Sequence, residues 1–296
     1  MASQLSDWTG EDVRLADVDR AIAQLRAATA TEGGQPSLRT SVMTHMAWVP
    51  EGWVDPARAA LSGMAERHPS RTILLLPEPN AGADGIDATV SLECFAVAGV
   101  DREVCSEVIE LRLRGIRAKA PASIVEPLLI SDLPVFLRWR GEPPWGEQEL
   151  DQLVGVTDRL IVDSTEWDDL PVQYRELAEL FDRTAVSDIA WARTSRWRAL
   201  LATLWPDVAS VETVRVTGTT AQALLIAGWL RSRLGRDDIE LEHVESRRLE
   251  GIELDGQPAP FPPGDPPIPS DVLSDELERY TRDTVYEAAV RASLQP

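Results

Sequence analysis

Leu133-Pro-Val-Phe-Leu-Arg-Trp-Arg140 and Arg159-Leu-Ile-Val-Asp163 flank a helical stretch, Glu147–Val154, and this strand–helix–strand reading decides the fold. The two outer stretches are short apolar runs with the length of buried strands. Pro171–Asp182 then reads as a helix with Tyr174, Leu177, Ala178 and Phe181 on one face. Strands and helices in alternation predict a sheet covered by helices.

Working toward the C-terminus, Ser187–Trp205 reads as one helix. Ser187 or Asp188 caps its start and Pro206 forbids its continuation. Ala190, Thr194, Trp197, Leu201 and Leu204 form its core stripe, which leaves Trp191, Arg193, Arg196, Arg198 and Trp205 on neighbouring faces. Arginine and tryptophan are enriched where proteins meet partners. Asp188, Trp191, Arg193, Arg196, Trp197 and Arg198 are therefore the candidate partner-binding residues, or else members of an arginine network between two domains. Val211–Thr217 follows as a strand and Gly218-Thr219-Thr220 opens a helix that ends near Gly235. Ile239–Arg247 is another strand. Residues 258–269 hold seven prolines and read as a surface loop or linker, and Ser270–Leu294 reads as a closing helix.

Toward the N-terminus, Ala88–Ala98 and Arg102–Arg114 form a hairpin about Gly99-Val100-Asp101, in which Ile109, Leu111 and Leu113 alternate with charged residues. Such a hairpin brings Cys94 and Cys105 together. Two reduced cysteines packed as small apolar residues are the expectation, and a redox-sensitive disulfide is the other reading. Arg71–Pro77 is a buried strand, Asp55-Pro56 starts a helix whose stripe runs from Ala57 to Met64 and Ala65, and Arg39–Val49 is a strand. A loop at 29–37, with Gly33, Gly34 and Pro36, separates these from a helix at 10–28 whose apolar face is Leu15, Val18, Ile22 and Leu25. Ser123–Ile130 is a short helix.

The expected class is α/β: two mixed-sheet domains covered by helices, with flanking helices at both ends. The expected division is 1–37 (N-terminal helix and linker), 38–170 and 171–296, with the boundary between about residues 165 and 187.

Composition narrows the function. Twenty-nine basic residues, of which Lys119 is the only lysine, stand against 49 acidic ones, a net charge of −20. Nucleic-acid binding and adsorption to anionic lipid both need the opposite balance. No apolar run reaches membrane-spanning length, and the first twenty residues lack a signal-peptide pattern, so a cytoplasmic protein is expected.

Signatures of catalysis are missing: no glycine-rich phosphate loop, nucleophile elbow or zinc motif occurs, and His45, His68 and His243 lie far apart. No catalytic residue, metal site or cofactor is expected. Gly218, Thr219 and Thr220 offer helix N-terminal amides that can hold an anion, set against an ordinary threonine-capped turn. Asp163, Glu166, Asp168 and Asp169 read as a solvated acidic loop, and His45 and His243 as ordinary strand residues. Ten tryptophans against four phenylalanines suggest that some of Trp48, Trp53, Trp139, Trp145 and Trp167, at strand ends or in loops, lie in a recognition surface.

Several segments then carry a resemblance. Arg39-Thr-Ser-Val-Met-Thr-His-Met46, His68-Pro-Ser-Arg71, Leu128-Leu-Ile-Ser-Asp-Leu-Pro-Val-Phe-Leu-Arg-Trp139, Asp158-Arg-Leu-Ile-Val-Asp-Ser164 and Ser187–Arg198, in that order, resemble the glucose-6-phosphate dehydrogenase assembly protein family (OpcA) in its actinobacterial form. The resemblance runs from about residue 38 onward and does not extend to the N-terminal helix or the proline-rich segment. It implies a non-catalytic partner of the glucose-6-phosphate dehydrogenase oligomer, promoting its assembly and activation in the oxidative pentose phosphate pathway. A sugar-phosphate or nucleotide sensor using the Gly218 turn or Arg193 and Arg196 is the alternative, and a hydrolase using Asp163 or His45 a third.

Overall fold

The computed structural model describes residues 3–32, 41–61, 67–96, 103–265 and 268–294. Gly33, Gly34 and Pro36, the Gly99-Val100-Asp101 turn, and Met64 and Ala65 lie outside the described residues. Among the described residues the chain forms an eight-stranded mixed sheet, a four-stranded sheet and ten α-helices, the α/β class expected. It divides into two compact units, Met1–Leu160 and Ile161–Pro296. Among the described residues no helix is long and apolar enough to cross a membrane.

The first unit is built on β1 (Ser3–Gly10), β2 (Met43–Trp48), β3 (Ser70–Glu78), β4 (Gly85–Ala96), β5 (Glu103–Arg114) and β6 (Val135–Trp139). With β7 (Arg159–Val162) and β8 (Ala185–Asp188), the sheet order is β1-β4-β5-β3-β2-β6-β7-β8. β5, β3, β2 and β6 are mutually parallel, while β4 and β1 run antiparallel to their neighbours. Strands β2, β3 and β6 are buried on both faces, Ile73-Leu-Leu-Leu76 being the clearest apolar run. Helix α1 (Leu15–Glu32) buries Val18, Ile22 and Leu25, the face expected, and α2 (Val54–Leu61) buries Ala57 against Ala47, Leu74 and Leu76. Helices α3 (Ala122–Val125) and α4 (Gln148–Gly155) complete this unit.

Residues 3–10, at the start of the region expected as N-terminal helix and linker, form β1, paired with β4. Ser-Gln-Leu-Ser-Asp-Trp-Thr-Gly has no apolar alternation, because an edge strand borrows its stability from the ladder it joins. The hairpin register sets Cys94 directly opposite Cys105, with Cα atoms 4.1 Å apart. The two sulfurs are bonded to each other, which corrects the expectation of reduced, packed thiols.

In the second unit α5 (Leu170–Leu180) follows β7, and β8 leads into α6 (Ile189–Arg193) and α7 (Ser195–Thr203). Strand β9 (Thr213–Gly218), helix α8 (Thr220–Leu234), β10 (Glu240–Glu245), β11 (Gly251–Leu254) and β12 (Gln257–Pro258) follow, with sheet order β10-β9-β11-β12. Helices α9 (Pro269–Leu277) and α10 (Thr284–Ser293) come last. The core gathers Trp197, Leu201, Val214, Val216, Ile226 and Leu230. Helix α8 is buried on nearly every side, and Gly228 lets α10 approach: a Cβ there would lie 2.1 Å from the Ala289 carbonyl.

Two expected helices are broken. Ser187–Trp205 begins as strand, since Ser187 and Asp188 close β8, and its helix is interrupted at Thr194, whose hydroxyl bonds the Trp191 carbonyl at 2.8 Å. Ser270–Leu294 divides into α9 and α10 because Asp283 caps a fresh start, accepting Tyr286 N–H at 2.9 Å.

Candidate functional site

The Arg/Trp stretch builds a network inside the second unit. Asp188, at the end of β8, is fully buried and caps α6 by accepting Ala190 N–H at 2.8 Å. Its carboxylate also accepts Ser164 N–H at 3.1 Å, the Ser164 hydroxyl at 2.6 Å and the Tyr286 hydroxyl at 3.2 Å. Tyr174 from α5 shares a hydrogen bond with the Ser164 hydroxyl at 2.9 Å. Asp163, one residue before Ser164, accepts from Thr165 and pairs with Arg193 at 3.0 Å.

Two carboxylates thus sit in one low-dielectric pocket. Burial first, and the Asp163 charge second, raise the Asp188 pKa to about 6, against the lowering effect of the donors from Ser164 and Ala190. Burial and the Asp188 charge push the Tyr174 and Tyr286 hydroxyls well above the ordinary tyrosine value.

The remaining candidates are engaged as well. Trp191, expected on an outer face, is buried, and its indole N–H donates to Asp283 at 2.9 Å. Arg198 lies over that indole, its guanidinium carbon 3.3 Å from the ring centroid, and donates to the Thr194 hydroxyl at 3.0 Å. Burial, opposed by the Asp283 and Glu276 charges and aided by Arg279, lowers its pKa to about 10. Arg196 donates to the carbonyls of Pro262, Pro263 and Gly264, so it ties down the proline-rich segment. Trp197 is buried and meets the exposed Phe261 ring edge-on at 5.3 Å. Each partner named here lies between Asp163 and Tyr286. Trp205 stays exposed.

At the other candidate site Gly218 ends β9 and Thr219 caps α8. The Thr219 hydroxyl accepts Gln222 N–H at 3.3 Å and the Gln222 side chain accepts Thr219 N–H at 3.2 Å, a capping box. These two amides are therefore satisfied internally. Thr220 donates to Glu245 at 3.2 Å, and His243 contacts the Gly218 carbonyl at 2.9 Å. Of the acidic loop, Asp168 and Asp169 are exposed as expected, whereas Asp163 is buried by its pairing with Arg193.

The tryptophans expected in a recognition surface divide. Trp48, Trp139 and Trp167 are buried, the first two stacked at 5.1 Å, while Trp53 carries the Arg140 guanidinium at 4.4 Å. His45 is buried in the first unit with neither ring nitrogen hydrogen-bonded among the described residues. Burial, then the charges of Arg138 and His68, lower its pKa to about 4.

Sequence reasoning missed Ser164, Tyr174, Tyr286 and Asp283 as members of the network. Asp283-Thr-Val-Tyr286 does carry a readable helix-start signal. Nothing local marks Tyr174 or Tyr286 as facing one carboxylate, since that meeting is tertiary.

Fold and site together define an α/β protein whose Arg/Trp helices brace its second unit from within. Residues 62–179 match the family described as glucose-6-phosphate dehydrogenase subunit N-terminal domain, and residues 184–261 the corresponding C-terminal domain. The chain belongs to this family, OpcA. Among curated relatives, a Synechococcus elongatus protein provisionally named OxPP cycle protein OpcA is 28% identical over 233 residues, covering 70% of this chain and 51% of its own length. A Nostoc punctiforme protein of the same name is 31% identical over 182 residues, covering 58% of this chain and 39% of its own length. The chain spans about half or less of these relatives. They are cyanobacterial, so they leave the actinobacterial form an expectation.

Proposed function

We propose that the chain is a non-catalytic assembly factor and allosteric activator of the glucose-6-phosphate dehydrogenase oligomer. One observation carries the reading: two successive family segments, both described as parts of a glucose-6-phosphate dehydrogenase subunit, together cover residues 62–179 and 184–261. The site supports its non-catalytic part, because Asp163 pairs with Arg193, Asp188 accepts from Ser164 and Tyr286, and Arg198 lies over Trp191, with both carboxylates buried.

To activate, the chain must bind the active arrangement of the dehydrogenase more tightly than the inactive one, since equal affinity shifts no equilibrium. Sedimentation and steady-state kinetics of the dehydrogenase, with and without this chain, test the proposal. A complex with raised kcat or lowered KM is expected. No complex and no change in either constant overturns it.

A further inference from the structure

The four-stranded sheet of the second unit ends in two unlike edges. β12 is two residues long, whereas β10 runs Glu240–Glu245 in unbroken parallel register with β9, from Glu240 opposite Thr213 to Glu245 opposite Gly218. In a parallel pair, alternate residues of a strand turn both main-chain groups toward the same neighbour. Glu240 N–H donates to the Glu212 carbonyl at 2.8 Å and Ser246 N–H to the Gly218 carbonyl at 2.9 Å, so the even-numbered residues face β9. Leu241, His243 and Glu245 therefore point their N–H and C=O groups outward. Their main-chain groups have no partner among the described residues, while the next carbonyl in that series, Ile239, is taken by Arg231 at 2.7 Å. His243 is an exposed residue although its side chain is only 24% exposed, so its backbone is open to solvent.

Charge selects what such an edge accepts. The side chains of Leu241 and His243 share the face of Val214 and Val216, which is core. The other face carries Glu240, Glu242 and Val244 beside Glu253 and Arg215. Arg215 is neutralised by Glu242 at 2.7 Å and Glu253 at 3.6 Å, and Glu240 has no ion pair among the described residues. Glu245 adds a further carboxylate at the strand end. Arg247 and Arg248 follow only beyond the strand, and Arg248 pairs with Glu250.

We propose that the outer edge of β10 receives an extended, basic segment of a partner protein as an added strand. Main-chain bonds to Leu241, His243 and Glu245 supply the pairing, and alternate Lys or Arg side chains meet Glu240 and Glu242. A second copy of this chain is disfavoured, because a two-fold pairing of β10 with itself sets glutamates beside glutamates. The inference takes only its partner's identity, the dehydrogenase, from the preceding proposal.

Hydrogen exchange and binding measurements test it on the intact chain. With the dehydrogenase bound, the amides of Leu241, His243 and Glu245 should become protected. Glu245→Pro removes one outward N–H and no bond to β9, and should weaken binding about tenfold. Glu240→Lys with Glu242→Lys should do the same, and carries the test if the proline variant fails to fold. A complex that forms without protecting these amides, and that tolerates the folded variants, overturns the inference; the glutamates then only guard the edge against aggregation. If no complex forms, the preceding proposal fails and a short peptide of alternating lysine and valine decides the matter. Protection of the three amides by that peptide supports the edge as a docking site, and no protection overturns it.

Discussion

The Ser164 hydroxyl donates to the Asp188 carboxylate across 2.6 Å, inside a pocket where both residues are shut off from solvent. That bond ties the turn after β7 to the cap of α6, and it makes the second unit sensitive to one proton. Below the ordinary aspartate value of 3.8 the carboxyl is neutral in both folded and unfolded chains. As pH rises toward about 6 the unfolded chain ionises first, so the fold loses stability through that window. The loss is about 3 kcal/mol and is complete above it.

Asp188→Asn keeps an acceptor for Ser164 and Ala190 N–H and places a donor toward the Ser164 and Tyr286 oxygens, as the protonated acid does. Relative to the parent chain, the variant should gain about 3 kcal/mol between pH 4 and pH 7. Urea unfolding at the two pH values measures this. A difference that stays constant with pH refutes it.

His45 slopes the opposite way. Its pKa is lowered to about 4 from the ordinary 6.5, so stability is intact above 6.5 and falls as pH drops and the unfolded chain takes up the proton. His45→Leu removes two buried nitrogens that lack partners and should leave stability unchanged or raised at pH 7. Its advantage should widen by about 3 kcal/mol toward pH 4. Thermal melts across that range are the check.

Gly228→Ala should destabilise the second unit by about 2 kcal/mol, although alanine is the better helix former by about 1 kcal/mol. The added methyl would meet backbone, the Ala289 carbonyl at 2.1 Å and Ser293 N at 2.9 Å, which no rotamer change relieves. Chemical denaturation showing a neutral or stabilising effect would refute the close approach of α8 and α10.

Arg196→Ala should free the carbonyls of Pro262, Pro263 and Gly264 without unfolding the chain, at a cost of about 1 kcal/mol or less, because Arg196 is half-exposed. Limited proteolysis should then cut near Phe261 faster than in the parent chain. Unchanged cleavage refutes the tether.

Much of the α/β frame was legible because its signals are local. Ile73-Leu-Leu-Leu76 and Leu160-Ile-Val162 announce buried strands, and Thr219-Thr-Ala-Gln222 with Gly235 marks both ends of α8. The hairpin's alternation also fixed the meeting of Cys94 with Cys105. What the residues did not disclose was decided by distant partners. Residues 3–10 are strand only because β4 is there, and Trp191 is buried only because Asp283 waits for its N–H. An arginine-rich helix looks the same in sequence whether its guanidiniums face water or an indole, a carboxylate and three carbonyls. Asp188 was named as a cap and as a candidate, yet its hydroxyl partners, Ser164 after β7 and Tyr286 of α10, had no sequence mark.

The seating of α10 on Gly228 also orders events during biosynthesis. Translation delivers β9, α8 and β10 to β12 first, and α10 only afterward. Until Ala289 and Ser293 arrive, α8 carries an uncovered flank around a glycine, the poorest helix-holding residue apart from proline. The emerging second unit is therefore half-made while its sheet already exists, and that interval is when a chaperone would find it.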